Sequence, residues 1–130
     1  MRRIALLVLA AGVAAGCGGS GSEATVRLHD FGIELDRTAF DAGEITFQLE
    51  NEGPSVHEFV IIRSDADPGS FALVENEVDE ATLDAVDEVE DVAVGSTPSL
   101  AVDLAPGSYV VICNITGHYA AGMHAGFTVG

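Results

Sequence analysis

From residue 25 onward, apolar positions recur mostly at every second residue, in short runs broken by Gly, Pro, Asn and Asp, and this period predicts strands. Residues 25–35 read TVRLHDFGIEL, roughly alternating, with Gly32 placed for a bulge. A turn at Asp41-Ala42-Gly43 leads into a regular period-2 strand over 44–50, with Ile45, Phe47 and Leu49 on one face. Asn51-Glu52-Gly53-Pro54 reads as the next turn. Residues 57–62, HEFVII, are more continuously apolar, which suits a strand buried on both faces. Further strands are expected over 99–104, over 108–113 after a turn at Pro106-Gly107, and over 127–129. Between them, 64–80 is a polar connection without a strong period, and 81–86 is expected to form a short helix capped by Asp79, with Leu83 and Val86 docked on the body. Nine acidic residues from Glu75 to Asp91 mark that region as an exposed, solvated flap. The succession predicts an all-β fold, an antiparallel Greek-key β-sandwich with one short helix or flap.

The first residues obey a different pattern. Arg2 and Arg3 form a positive start, 4–13 an apolar run too short to span a bilayer, and Ala14-Ala15-Gly16 a small-residue cleavage site. The segment VAAGC resembles the lipobox of bacterial lipoproteins, in which the Cys, here Cys17, receives a lipid and becomes the mature N-terminus; Ala14 stands where Leu is commonest. An ordinary signal peptide cut nearby is the alternative. Gly18-Gly19-Ser20-Gly21-Ser22 then reads as a flexible linker. The expected organisation is a signal peptide over 1–16, a lipidated Cys and tether over 17–24, and one domain over 25–130. The product is then exported and held by its lipid on the outer face of the cell membrane or in the periplasm.

Charge narrows the partners. All 21 Asp and Glu lie at or after Glu23, and from Cys17 onward three Arg and no Lys oppose them, a formal balance of −18. Nucleic acid and anionic headgroups would be repelled, which excludes them as electrostatic partners. The acidic surface suits either a salty habitat or the steering of a basic partner.

The cysteine count changes the picture most. With Cys17 lipidated, Cys113 has no disulfide partner in an exported protein, where free thiols are unusual, and metal ligation is one of the few roles left for it. His57 opens one strand, while Cys113, His118 and Met123 follow another at C-x4-H-x4-M spacing. Two imidazoles, a thiolate and a thioether form the set that a trigonal His2Cys site with a weak axial Met uses for copper. Soft sulfur suits Cu(I) and imidazole serves both oxidation states. A structural zinc site would instead show paired Cys or His. Taken singly, His57 would be a turn residue, Met123 core filling and Cys113 a small buried hydrophobe. Strand parity puts Tyr109, Val111 and Cys113 on one face of their strand and His57, Phe59 and Ile61 on one face of theirs, aiming both ligands at one end of the sandwich.

The stretch CNITGHYAAGMHAGFTV resembles the copper loop of cupredoxins, the group of plastocyanin, azurin, pseudoazurin and sulfocyanin, and NEGPSVHEFVI resembles the turn and strand that deliver that family's first His. The likeness covers about residues 25–130, and its spacing is most similar to the sulfocyanin-like branch. It implies one type 1 copper held by His57, Cys113, His118 and Met123, with His118 as the electron port in a low apolar face made by Gly117, Ala120, Ala121, Gly122, Ala125 and Gly126. Two positions depart from the family. Glu58 and Asn114 stand where Asn and Ser or Thr are usual, and the expected exchange has Glu58 accepting from the Asn114 amide; Thr116 replaces a common Pro, which should loosen the loop slightly. His29 is expected to be structural or exposed in an edge strand, and His124 to lie at the surface.

The resemblance implies an electron carrier, not an enzyme: a monomer serving redox proteins such as basic cytochromes or a terminal oxidase. The length rules out a multi-domain copper oxidase. The rival reading is a copper chaperone or storage lipoprotein that supplies a membrane oxidase. Such proteins tend to repeat Met and His motifs, whereas Met123 is the single Met after the signal.

Overall fold

The computed structural model describes residues 21–130, so the signal peptide, Cys17 and the tether up to residue 20 lie outside the described residues. The strands are β1 (Ser22–His29), β2 (Gly32–Leu35), β3 (Ala39–Phe40), β4 (Gly43–Gly53), β5 (His57–Arg63), β6 (Leu73–Val74), β7 (Glu77–Val78), β8 (Asp84–Val92), β9 (Ser99–Leu104), β10 (Gly107–Ile112) and β11 (His124–Val129). One sheet has the order β2-β1-β4-β9, the facing sheet β3-β11-β10-β5-β8, and β6 and β7 form a small separate hairpin. Most neighbours are antiparallel, but β1 pairs β4 and β11 pairs β3 in parallel, so the expected antiparallel sandwich is a mixed one. The cause is the excursion of the chain through β3 into the second sheet: on its return, β4 runs alongside β1 in the same direction.

Alternation along the strands builds the core. Val26, Leu28, Ile45, Phe47 and Leu49 from the first sheet meet Phe59, Ile61, Tyr109, Val111, Phe127 and Val129 from the second. Phe47 is its centre, packing against Phe40, Phe59 and Phe127 with ring centroids 5.9, 5.5 and 5.5 Å away. Aromatic contacts at these spacings favour tilted and edge-on geometry, as here. The outer face of β5 and β10 is buried too: Val60, Ile62, Val110 and Ile112 lie under a strap through Phe71, Val78 and Leu83. That double burial is what the unbroken apolar run HEFVII foretells.

The structure differs from the sequence pattern at several places. Residues 25–35 form a hairpin, not one strand, because the chain reverses at Asp30-Phe31, where Phe31 takes φ 73°. The irregularity falls between Leu28 and His29, on the β1–β4 ladder, and Gly32 opens β2. β1 also begins at Ser22, with Ala24 buried, so the folded body takes in residues assigned to the tether, and β1 lies between β2 and β4 instead of at an edge. The helix expected over 81–86 is a single 3-10 turn, Glu80–Thr82, with Asp79 accepting from the Ala81 N–H as anticipated. The acidic run that follows is β8, an edge strand on β5, and not a flap. Its period is hidden by register shifts against β5 and by the positive φ of Asp91, yet Val92 is buried and Val89 packs on the core. Carboxylates along an outer edge keep another chain from pairing with it.

Phe47→Ala should cost about 3–5 kcal/mol, the usual range for a buried Phe. Equilibrium denaturation checks it; a loss under about 1 kcal/mol would mean that Phe47 is not the centre of the core.

Candidate metal centre

β5 and β10 are paired antiparallel, with Ile112 opposite Val60 and Val111 opposite Ile61. Continuing that register turns Cys113, just past β10, to the same inward face as His57 at the start of β5. The loop from 113 to 123 then folds over the end of the sandwich. His57, Cys113 and Met123 are fully buried, and His118 is half-buried.

Three donor atoms converge. His57 Nδ1 lies 3.3 Å from His118 Nδ1, and Cys113 Sγ lies 3.9 Å from the first and 3.5 Å from the second. A point equidistant from the three lies roughly 2 Å from each, close to metal–imidazole and metal–thiolate bond lengths. Met123 closes the loop: Cys113 N donates to the Met123 carbonyl at 3.1 Å and Met123 N to the His118 carbonyl at 3.1 Å. The donor set His2Cys with a neighbouring Met fits copper. The fold therefore brings together the donor atoms of His57, Cys113 and His118, with Nδ1 as the inward atom of both imidazoles, and holds buried Met123 beside them through its backbone bonds to Cys113 and His118.

The loop's shape has local causes. His118 N donates to the Ile115 carbonyl and Ala121 N to the Gly117 carbonyl, so the loop winds through consecutive turns. Gly122 takes φ 120°, and a Cβ there would meet the Phe31 carbonyl oxygen at 2.9 Å, so only glycine lets the β1–β2 turn press against the loop beside Met123.

The positions flanking the ligands act differently from expectation. The Asn114 side-chain amide donates to the Val78 carbonyl at 2.9 Å and to Glu80 Oε1 at 2.7 Å, and its oxygen accepts from Val78 N at 2.7 Å. The Asn114 side chain thus ties the ligand loop to β7 and the 3-10 turn, not to the Glu58 side chain. Glu58 instead donates its backbone N–H to Cys113 Sγ at 3.3 Å. Thr116 does not leave the loop loose. Its hydroxyl donates to Glu77, and Gly117 N donates to the Asn76 carbonyl at 3.0 Å, so the β6–β7 hairpin braces the segment where Pro is missing.

Other contacts were not visible in the sequence, several because their partners are remote in it. Tyr119 is buried; its hydroxyl donates to the Pro68 carbonyl at 2.6 Å and accepts from Phe71 N at 3.0 Å, pinning the strap to the ligand loop. Buried Asn51 donates to the Ser55 and Val92 carbonyls and accepts from Gly53 N, which shapes the turn leading to His57. His124 is half-buried, its ring tilted against Tyr119 with centroids 5.2 Å apart. His29 makes surface contacts with Glu34 and the Asp30 carbonyl, away from the three donor atoms.

Burial pushes the Cys113 thiol above its ordinary range, against a smaller opposing pull from the Glu58 and Ile115 backbone N–H groups. Burial, and then the His118 imidazole, hold His57 below the usual histidine value. Glu58 is raised by burial and by Glu80 and Glu90. Without metal, the neutral-pH site thus offers a neutral His57 and a protonated thiol.

No protein-family model and no curated protein matches the chain. Among solved structures it is similar to rusticyanin from Thiobacillus ferrooxidans, at 19% identity over 85% of this chain and 79% of that one, with TM-score 0.63. It is also similar to an azurin from the methylotroph Methylomonas sp. strain J, at 18% identity, 84% and 98% coverage and TM-score 0.56. Auracyanin A, described as a "blue" copper protein from the green thermophilic photosynthetic bacterium Chloroflexus aurantiacus, matches at 18% identity, 84% and 100% coverage and TM-score 0.57. These likenesses establish the cupredoxin fold, as the sequence resemblance implies.

Because a metal must displace the Cys113 proton, copper affinity should rise about tenfold per pH unit between pH 7 and 8, where the thiol is protonated in the metal-free protein. Competition titration at the two pH values reads this; equal affinities would mean that the metal-free thiol is already ionised.

Proposed function

We propose that this chain is a type 1 copper electron carrier, exported and tethered by Cys17 outside the cytoplasmic membrane, and not an enzyme. The observation that carries it is the triad of buried His57, buried Cys113 and half-buried His118, whose donor atoms lie within 4.8 Å of one another at one end of a cupredoxin sandwich. Copper bound there supplies a one-electron Cu(II)/Cu(I) couple.

The protein's own groups are arranged to hold one geometry. Cys113 Sγ accepts the Glu58 N–H, which stabilises negative charge on sulfur and orients it. Paired strands and the braced loop resist rearrangement, and a site that moves little between oxidation states exchanges electrons with a small reorganisation cost. His118 is the one member of the ligand set that reaches the surface, which supports its role as electron port. Around it the loop side chains are small, a face that a partner can approach closely.

Beside that face, Glu58, Glu77, Glu80, Glu88 and Glu90 line a depression that borders Asn114, Ile115 and Thr116. A field of this sign steers a basic partner, such as a cationic cytochrome or a basic patch on a terminal oxidase. The N-terminal basic, apolar and Cys17 pattern supports export and lipid anchoring, with the folded body starting a few residues beyond the lipid site.

The soluble domain loaded with Cu(II) should show an intense thiolate-to-copper visible band and reversible one-electron cycling, both lost in Cys113→Ser. Tight Cu(I) uptake without that band would make delivery or storage the function, and no copper uptake would end both readings. Electron transfer to a basic partner should slow as salt rises from about 0.01 M to 0.15 M, since the screening length falls from about 30 Å to 8 Å. A salt-independent rate would assign the acidic surface to solubility instead.

A further inference from the structure

His57 faces the triad with Nδ1 and turns Nε2 the other way, toward the β1–β2 turn of the opposite sheet. There Asp30 Oδ1 lies 3.2 Å from Nε2, within contact distance although the N–H is not aligned well enough for a regular hydrogen bond. Among the described residues, no other group partners this fully buried nitrogen. The Asp30 carboxylate is itself held: Oδ1 accepts from Ser55 N at 3.2 Å and Oδ2 from Ser55 Oγ at 2.9 Å, while Asp30 N donates to the Gly53 carbonyl at 3.2 Å. The Asp30 side chain is 23% exposed, so solvent screens its charge only in part. The next residue, Phe31, holds φ 73° and places its carbonyl against Gly122, beside Met123. One turn of the first sheet thus touches the ligand region at both its His57 and its Met123 ends.

We infer that Asp30 is the positioning residue of this centre: its carboxylate, clamped by Ser55, fixes the His57 ring and tautomer with Nδ1 free for the metal, and places a negative charge behind that ligand. A ligand histidine is commonly oriented by a group on its other nitrogen, and a carboxylate there raises the basicity of the ring. In this chain the group is ionic and arrives from the opposite sheet, so it does two separable things. It sets the tautomer, and it favours the more positive oxidation state of the bound metal. The second effect rests on the copper-carrier reading; the first is a property of the metal-free protein.

The test uses the folded domain and two variants. Nitrogen-15 NMR of the metal-free wild type, at a pH where imidazole is neutral, should show His57 as one tautomer protonated at Nε2. Asp30→Ala should lose that preference, and Asp30→Asn should keep it, since an amide oxygen can still accept from Nε2. In copper-loaded protein, Asp30→Asn should shift the reduction equilibrium about tenfold toward Cu(I), which is 59 mV for a one-electron couple. An Asp30→Ala protein that retains the single tautomer would overturn the positioning role. A shift under twofold in Asp30→Asn would overturn the charge role, and if the alanine protein does not fold, loss of the single tautomer in Asp30→Asn would overturn the positioning role. The tautomer readout needs no copper, so a failure of the carrier reading is distinguishable from a failure of this one.

Discussion

The antiparallel pairing of β5 with β10 is the constraint from which the site follows. It sets Val60 against Ile112, and that register turns His57 and Cys113 to one side of the sheet and to the same end. A slip of one residue would send every side chain of β5 to the opposite face, removing His57 from the site and Phe59 and Ile61 from the core together. Stability and ligand placement therefore depend on the same hydrogen-bond ladder. The Glu58 N–H to Cys113 Sγ bond extends that ladder beyond the last residue of β10, onto the ligand atom itself.

The loop cannot inherit its order from a ladder, because its residues are not strand residues. It is ordered by three separate bodies. The β6–β7 hairpin and its neighbours hold Asn114, Thr116 and Gly117; the strap at 68–71 holds Tyr119; the β1–β2 turn meets Gly122 and His57. Each of these lies far away in sequence, so closure of the loop waits on the fold as a whole. Small residues elsewhere in the loop leave His118 half-buried, the one ligand with a path to the surface.

The sequence made the strands legible wherever period and burial agreed, as in β4, where Ile45, Phe47 and Leu49 alternate cleanly into the core. It also exposed the ligand residues, because a soft thiolate, two imidazoles and a thioether in that order form a donor set suited to copper and to little else. β8 was hidden because register shifts broke its alternation and its carboxylates mimic a solvated loop. The bracing pairs were hidden for another reason. Asp30 with His57, Asn114 with Glu80 and Tyr119 with Pro68 are single contacts between distant segments, and no local pattern announces them.

The fold presets the site before any metal arrives. Crystal structures of the same protein without metal and with copper test it directly. His57, Cys113 and His118 should keep their Nδ1 and Sγ separations of 3.3 to 3.9 Å to within about 0.5 Å, with the metal among them. A loop that refolds on loading, or copper bound elsewhere, would contradict it.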